Sequence, residues 1–141
     1  MDGKAILGTW LLVSFQGRNA AGKTRELMGA GANGLLIYTA DGYMSAVISG
    51  GRRPSFASED YRGGTPEETQ AAFKTYMSYC GRYTLSGDEI THHVGMSMFP
   101  NWTGGEQRRF ATLRGGALVL STPPMRVAGE EWTYELVWRR P

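Results

Sequence analysis

The chain has 141 residues, 41% hydrophobic and 20% charged, which suits one globular domain and excludes a disordered one. A formal charge of +2, with 15 Lys and Arg scattered along the chain, lacks the clustered basic face of a nucleic-acid binder and does not favour a membrane surface. Cys80 is the only cysteine, which excludes an intrachain disulfide, and no run approaches the roughly 18 apolar residues of a spanning helix.

The opening Met1-Asp2-Gly3-Lys4 is followed by too short an apolar run for a secretory signal, so a cytoplasmic setting is expected. From there, glycines punctuate short runs rich in Val, Leu, Ile, Tyr and Trp, the rhythm of an all-β sandwich or barrel. Eight strands are predicted. The first covers about 8–16 and the second 34–39; Asp41-Gly42 then makes a tight turn into the third, 42–49. The stretch 50–64, with two glycine pairs and Pro54, reads as a mobile loop. Thr65-Pro66-Glu67-Glu68 follows with a capping threonine, a first-turn proline and a glutamate three residues on. This predicts one helix of about twelve residues between strands three and four, with Ala72, Phe73, Tyr76 and Met77 on one face. Strands four to eight are expected at about 78–85, 89–98, 106–113, 117–122 and 131–139. No linker and no internal repeat divides the chain, so residues 1–141 are read as a single domain.

Two glycine-rich stretches imitate phosphate-binding motifs. Gly17 to Thr24 spells a P-loop, but Gly29, Gly31 and Gly34 follow where its long helix would have to run. Gly29 to Gly34 spells a dinucleotide fingerprint, but it precedes a strand instead of following one. Both are expected to be loops. Asn101-Trp102-Thr103 has the spelling of a glycosylation site and no secretory context to give it meaning.

Alternation sorts the remaining candidates by face. His92 shares the apolar face of Ile90, Val94, Met96 and Met98, and is expected to point inward, as a core histidine or a proton-transfer group. His93 is expected to point outward; two histidines on opposite faces, with one cysteine, do not make a metal site, and no cofactor is expected. Tyr79, Gly81 and Tyr83 share a face that leaves room for a flat ligand, with hydroxyls to orient it. Gln107, Arg109 and Ala111 share another, and periodicity does not decide whether Arg109 points inward as a fixed cation. Trp132, Tyr134, Leu136 and Trp138 form a stripe of core or pocket wall, with Glu135 outside. Cys80 reads as a small buried hydrophobe. No serine or carboxylate pair is placed for hydrolysis.

Leu7-Gly8-Thr9-Trp10 with Leu12-Val13-Ser14 resembles the opening Gly-x-Trp strand of lipocalins. With 34–38 and 42–45, Tyr79-Cys80-Gly81-Arg82-Tyr83, His92-His93, Phe99-Pro100-Asn101-Trp102 and Trp138-Arg139, the chain is similar over some 130 residues to the bacterial and fungal lipocalin-like domain family. The resemblance implies an eight-stranded antiparallel up-and-down barrel. It places Trp10 near the closed end with a basic residue such as Arg139 to pack on it, and a ligand cavity at the open end. The glycine-rich run before strand two departs from the pattern.

The expected function is binding of a small hydrophobic metabolite by Tyr38, Tyr43, Tyr79, Tyr83, His92, Met96, Trp102 and Arg109. The alternative is a cofactor-independent isomerase or cyclase in which His92 moves a proton while Tyr83 or Arg109 steadies a developing oxyanion. A third reading is a docking barrel with a solid interior. A homodimer fits any of the three.

Overall fold

The alternation becomes strand after strand in the computed structural model, which describes residues 1–141. After a 3₁₀ turn, Gly3–Ile6, the chain forms β1 (Gly8–Arg18), β2 (Thr24–Glu26), β3 (Asn33–Tyr38) and β4 (Tyr43–Ser49). Helix α1 (Pro66–Lys74) precedes β5 (Tyr76–Ser86) and β6 (Glu89–Ser97), and a 3₁₀ turn, Pro100–Trp102, precedes β7 (Glu106–Arg114). The chain ends with β8 (Ala117–Ser121), β9 (Met125–Val127) and β10 (Glu130–Arg139). Antiparallel neighbours run β1-β3-β4-β5-β6-β7-β8-β10, and β10 returns to β1, with Leu11 opposite Arg139 and Arg18 opposite Thr133. These eight strands close the barrel. Closure removes the free edges that an open sheet would present.

All eight expected strands are present, and two short ones are added. β2 pairs with the end of β1, and β9 with the start of β10. The extra β2 shifts the count, so the helix stands between β4 and β5 rather than between strands three and four. It is nine residues long, shorter than expected, because Tyr76 and Met77 leave it to pair with Ser49 and Ile48. Its capping box forms as predicted: Glu68 N donates to Thr65 Oγ1 at 3.2 Å and Thr65 N donates to Glu68 Oε1 at 2.9 Å. The 50–64 segment is tied to this helix, since Ala57 N donates to Glu68 Oε2 at 2.9 Å and Arg53 Nη2 to the Ala72 carbonyl at 3.2 Å.

Both phosphate-motif imitations resolve as turns. Gly17 and Arg18 end β1, and a turn held by Asn19 N donating to the Lys23 carbonyl, at 3.0 Å, leads into β2. Gly17 has its own structural cause: a Cβ there would lie 2.5 Å from the Tyr134 ring. Gly29 and Gly31 take φ of 75° and 76° in the turn before β3, a conformation that favours glycine.

The closed end is filled by large side chains. Trp10, Tyr38, Ile6, Leu36, Ile90 and Leu118 are all buried there, and Trp10 Nε1 donates to the Ile6 carbonyl at 2.8 Å. The cation over the Trp10 ring is Arg140, not Arg139: its guanidinium carbon lies 3.7 Å from the ring centroid. Trp132, Tyr134, Leu136 and Trp138 take the inner face of β10, which turns Arg139 outward and leaves the residue beyond the strand to curl beneath.

Candidate functional site

Above this plug the interior holds a small cavity of about 40 Å³. Its wall is mainly apolar, with Phe15, Leu36, Ile48, Leu136 and Trp138 among the lining side chains, and its polar groups gather at His92, Tyr79 and Arg109. Leu27, Met77, Trp102 and Met125 line it from above and also floor a wider mouth of about 530 Å³. These four side chains separate the two spaces. Trp102 roofs Tyr79 edge-to-face, with centroids 5.8 Å apart, and leans on Phe99 in the same way at 5.4 Å.

His92 is 1% exposed and held on both sides. Its Nε2 lies 2.7 Å from Tyr38 Oη and its Nδ1 2.6 Å from Tyr79 Oη. Burial, then the positive charge of Arg109, then His93, push its pKa down from 6.5 to about 3, so the ring is neutral at physiological pH. Burial pushes both tyrosines above their usual pKa, and Arg109 opposes the rise at each.

Arg109 points inward, which settles what periodicity left open. It is 8% exposed, and its guanidinium donates from Nη1 to the Arg108 carbonyl at 2.7 Å and from Nη2 to Gln107 Oε1 at 3.5 Å. No carboxylate lies within ion-pair distance of it.

Of the expected lining residues, Tyr79, His92, Trp102 and Arg109 meet at the cavity. Tyr38 and Tyr83 point inward but sit lower. Tyr38 is in the plug, with Tyr83 packed edge-to-face on it at 4.9 Å, and Tyr83 Oη donates to the Thr39 carbonyl at 2.8 Å. Two expectations are corrected. Met96 is 69% exposed on the outer face, because β6 carries a bulge: Gly81 pairs with Val94 but Cys80 pairs with Met96, and the extra residue Gly95 reverses the alternation. Tyr43 is 47% exposed, because Met44, Ala46 and Ile48 take the inner face of β4; its ring lies under Arg82, 4.9 Å from the guanidinium carbon. Cys80 is half-buried on the outer face, since Tyr79 and Tyr83 take the inner one. His93 faces outward as expected, with Nε2 3.0 Å from Thr84 Oγ1.

Several lining residues escaped the sequence reading. Leu27 and Met125 lie at the two short strands, where runs of three residues carry no legible period, and the spacing of Ala72, Phe73 and Tyr76 carries Met77 into the helix. Arg25 of β2 stands over the Trp132 ring at 4.5 Å and donates from Nη2 to Tyr134 Oη at 3.1 Å. Nothing in the spacing marks it.

The model of the family described as the lipocalin-like domain matches residues 7–141. The 4'-hydroxy-3'-methoxypropiophenone carrier protein ppsC of Aspergillus oryzae (strain ATCC 42149 / RIB 40) is 34% identical over 106 residues, which cover 69% of this chain and 96% of that protein. A solved structure of a lipocalin-like protein from Bacteroides uniformis ATCC 8492 shares the fold, with a TM-score of 0.50 at 16% identity over 97% of this chain and 99% of that one.

Proposed function

The chain belongs to the lipocalin-like domain family, and from that premise we propose that it binds and carries a small, mostly apolar metabolite inside the barrel. The observation that carries this reading is the apolar inner cavity, divided from an apolar mouth by four side chains alone. The inner space of about 40 Å³ holds no more than a few waters, whereas pockets for metabolite-sized ligands run to roughly 300 Å³ and more. A ligand therefore lies across both spaces, with its polar end beside Tyr79 and Arg109 and its body between Trp102 and the methionines. Met77 and Met125 are suited to moving aside, because an unbranched thioether changes rotamer at little cost.

The carrier named for an aryl ketone supports the same reading, and a molecule of that size and polarity is the first ligand to try. His92 supports binding more than proton transfer. Both ring nitrogens are engaged by tyrosine hydroxyls, and the ring resists protonation until about pH 3, so it acts on a ligand through Tyr79.

Titration with 4'-hydroxy-3'-methoxypropiophenone, followed by tryptophan fluorescence and calorimetry, tests the proposal. Saturable one-to-one binding with a change in emission is expected, weakened about tenfold or more in Trp102→Ala. No binding of this or any aryl ketone, by a chain whose melting is cooperative, would overturn it in favour of a solid docking barrel.

A further inference from the structure

The direction of the hydrogen bonds at His92 constrains what the cavity can take. Tyr38 is 1% exposed, and the one partner of its hydroxyl is His92 Nε2. A buried O–H that donates to nothing costs about 1–3 kcal/mol, so Tyr38 donates to Nε2. A neutral imidazole carries one N–H, which is then on Nδ1 and donates to Tyr79 Oη at 2.6 Å. Tyr79 cannot return its own hydrogen to that nitrogen. The hydrogen is left for the cavity that Tyr79 lines.

The remaining polar groups of the cavity point the same way. Thr122 Oγ1 accepts from Tyr134 N at 2.9 Å, and Tyr134 Oη accepts from Arg25 at 3.1 Å, so each hydroxyl keeps its hydrogen to give. The indole N–H of Trp138, also on this wall, has no partner. Arg109 adds a buried positive charge, of whose five N–H donors two are engaged, both by neutral oxygens. No aspartate or glutamate lines the cavity. The polar end is thus an array of donors around an uncompensated cation.

We infer that this end of the cavity is an oxyanion subsite: the metabolite carries a carboxylate or an ionised phenol, seated against Arg109 and the Tyr79 hydroxyl. The inference rests on the binding function proposed above and adds the ligand's charge to it. An alcohol finds partners among these hydroxyls but brings no counter-charge to the guanidinium. A ketone oxygen accepts, but leaves the guanidinium without a counter-charge in a desolvated site, the more costly arrangement. A single anionic oxygen group answers both the hydrogen-bond pattern and the charge.

Three probes on one skeleton test it: 4-propionylbenzoate, 4'-hydroxypropiophenone and its neutral methyl ether, titrated into the full chain from pH 6.5 to 9. The benzoate is expected to bind the wild type roughly 30-fold or more tighter than the ether, as for a desolvated charge pair. The phenol's affinity should rise with pH as it ionises, if the subsite takes phenolates as well as carboxylates; a flat profile beside tight benzoate binding restricts it to carboxylates. Arg109→Gln should abolish the preference of the site for the benzoate over the ether. Tyr79→Phe, which keeps the ring, should reduce the preference only in part. Equal binding of benzoate and ether by the wild type overturns the subsite and leaves the carrier function intact. Binding of no probe by a folded chain removes both. The wild-type comparison decides the matter even where Arg109→Gln fails to fold.

Discussion

The two ends of the barrel are built to different rules. At the closed end each polar group has its partner: Trp10 Nε1 gives to Ile6, and Arg140 lies over the Trp10 ring while donating to the carbonyls of Leu7 at 2.7 Å and Ala5 at 3.0 Å. Around the cavity above it, Arg109 has no counter-charge and the Trp138 indole lacks a partner; toward the mouth the Trp132 indole and Arg25 Nε lack partners as well, and the helix buries no residue. A sequence that satisfies every local requirement at one end and leaves them unmet at the other separates stability from recognition. Two of the unmet groups, Arg109 and the Trp138 indole, belong to residues of the cavity wall.

The largest expected effect breaks this contrast directly. Trp10→Ala should cost about 3–5 kcal/mol, since it empties the plug and strands Arg140, whereas Trp102→Ala should cost about 1 kcal/mol and act mainly on ligand affinity. Denaturant unfolding of the two variants checks the pair, and equal losses would mean that the mouth is as structural as the plug. The next effect comes from pH. The unfolded chain protonates His92 near its ordinary 6.5, while the folded chain refuses the proton until about pH 3. Stability contributed by the neutral ring is therefore complete above pH 6.5 and falls as the pH drops through that window, by about 3 kcal/mol at pH 4. Unfolding curves for wild type and His92→Gln, which can both give and accept a hydrogen bond, should converge as the pH is lowered. A third effect runs the opposite way. Arg109→Met removes a buried cation without a counter-charge and should raise ligand-free stability by about 1 kcal/mol while weakening anion binding. A loss of stability instead would place Arg109 with the structural groups of the closed end.

How far the molecule can be read without coordinates follows the same divide. The eight barrel strands were legible because each has one apolar and one polar face, and Asp41-Gly42 and the Thr65 capping box carry their own geometry. His92, Tyr79, Arg109 and Trp102 were identifiable as residue types that do chemistry in an apolar setting. Depth along the barrel axis was not legible, because period two reports which face a residue takes and not how far down it sits. Tyr38 and Tyr83 accordingly fell below the cavity. The short strands that bring Leu27 and Met125 to the mouth are held by pairing with β1 and β10, a tertiary cause with no local pattern.

The smallest expected effect concerns the residue that a bulge moved. With alternation unbroken, Met96 would continue the inner face of Ile90, His92 and Val94; Gly95 inserts one residue, and the side chain emerges on the outer wall opposite Cys80. Gly81 shows why the bulge sits there: a Cβ on it would lie 1.9 Å from the His93 carbonyl oxygen, so the two strands approach too closely for any side chain. Met96→Ser should then change stability by no more than about 0.5 kcal/mol and leave the affinity for an aryl ketone unaltered, whereas an inward Met96 would cost about 2 kcal/mol or more. Deleting Gly95 should remove the bulge and leave the register as it is, with Val94 opposite Gly81, Met96 opposite Cys80 and Ser97 opposite Tyr79, so Met96 stays on the outer wall and ligand affinity should change little. If Met96→Ser weakens binding, or the deletion abolishes it, the outer and inner faces of β6 beyond Val94 have been exchanged, and the site has to be rebuilt around Met96.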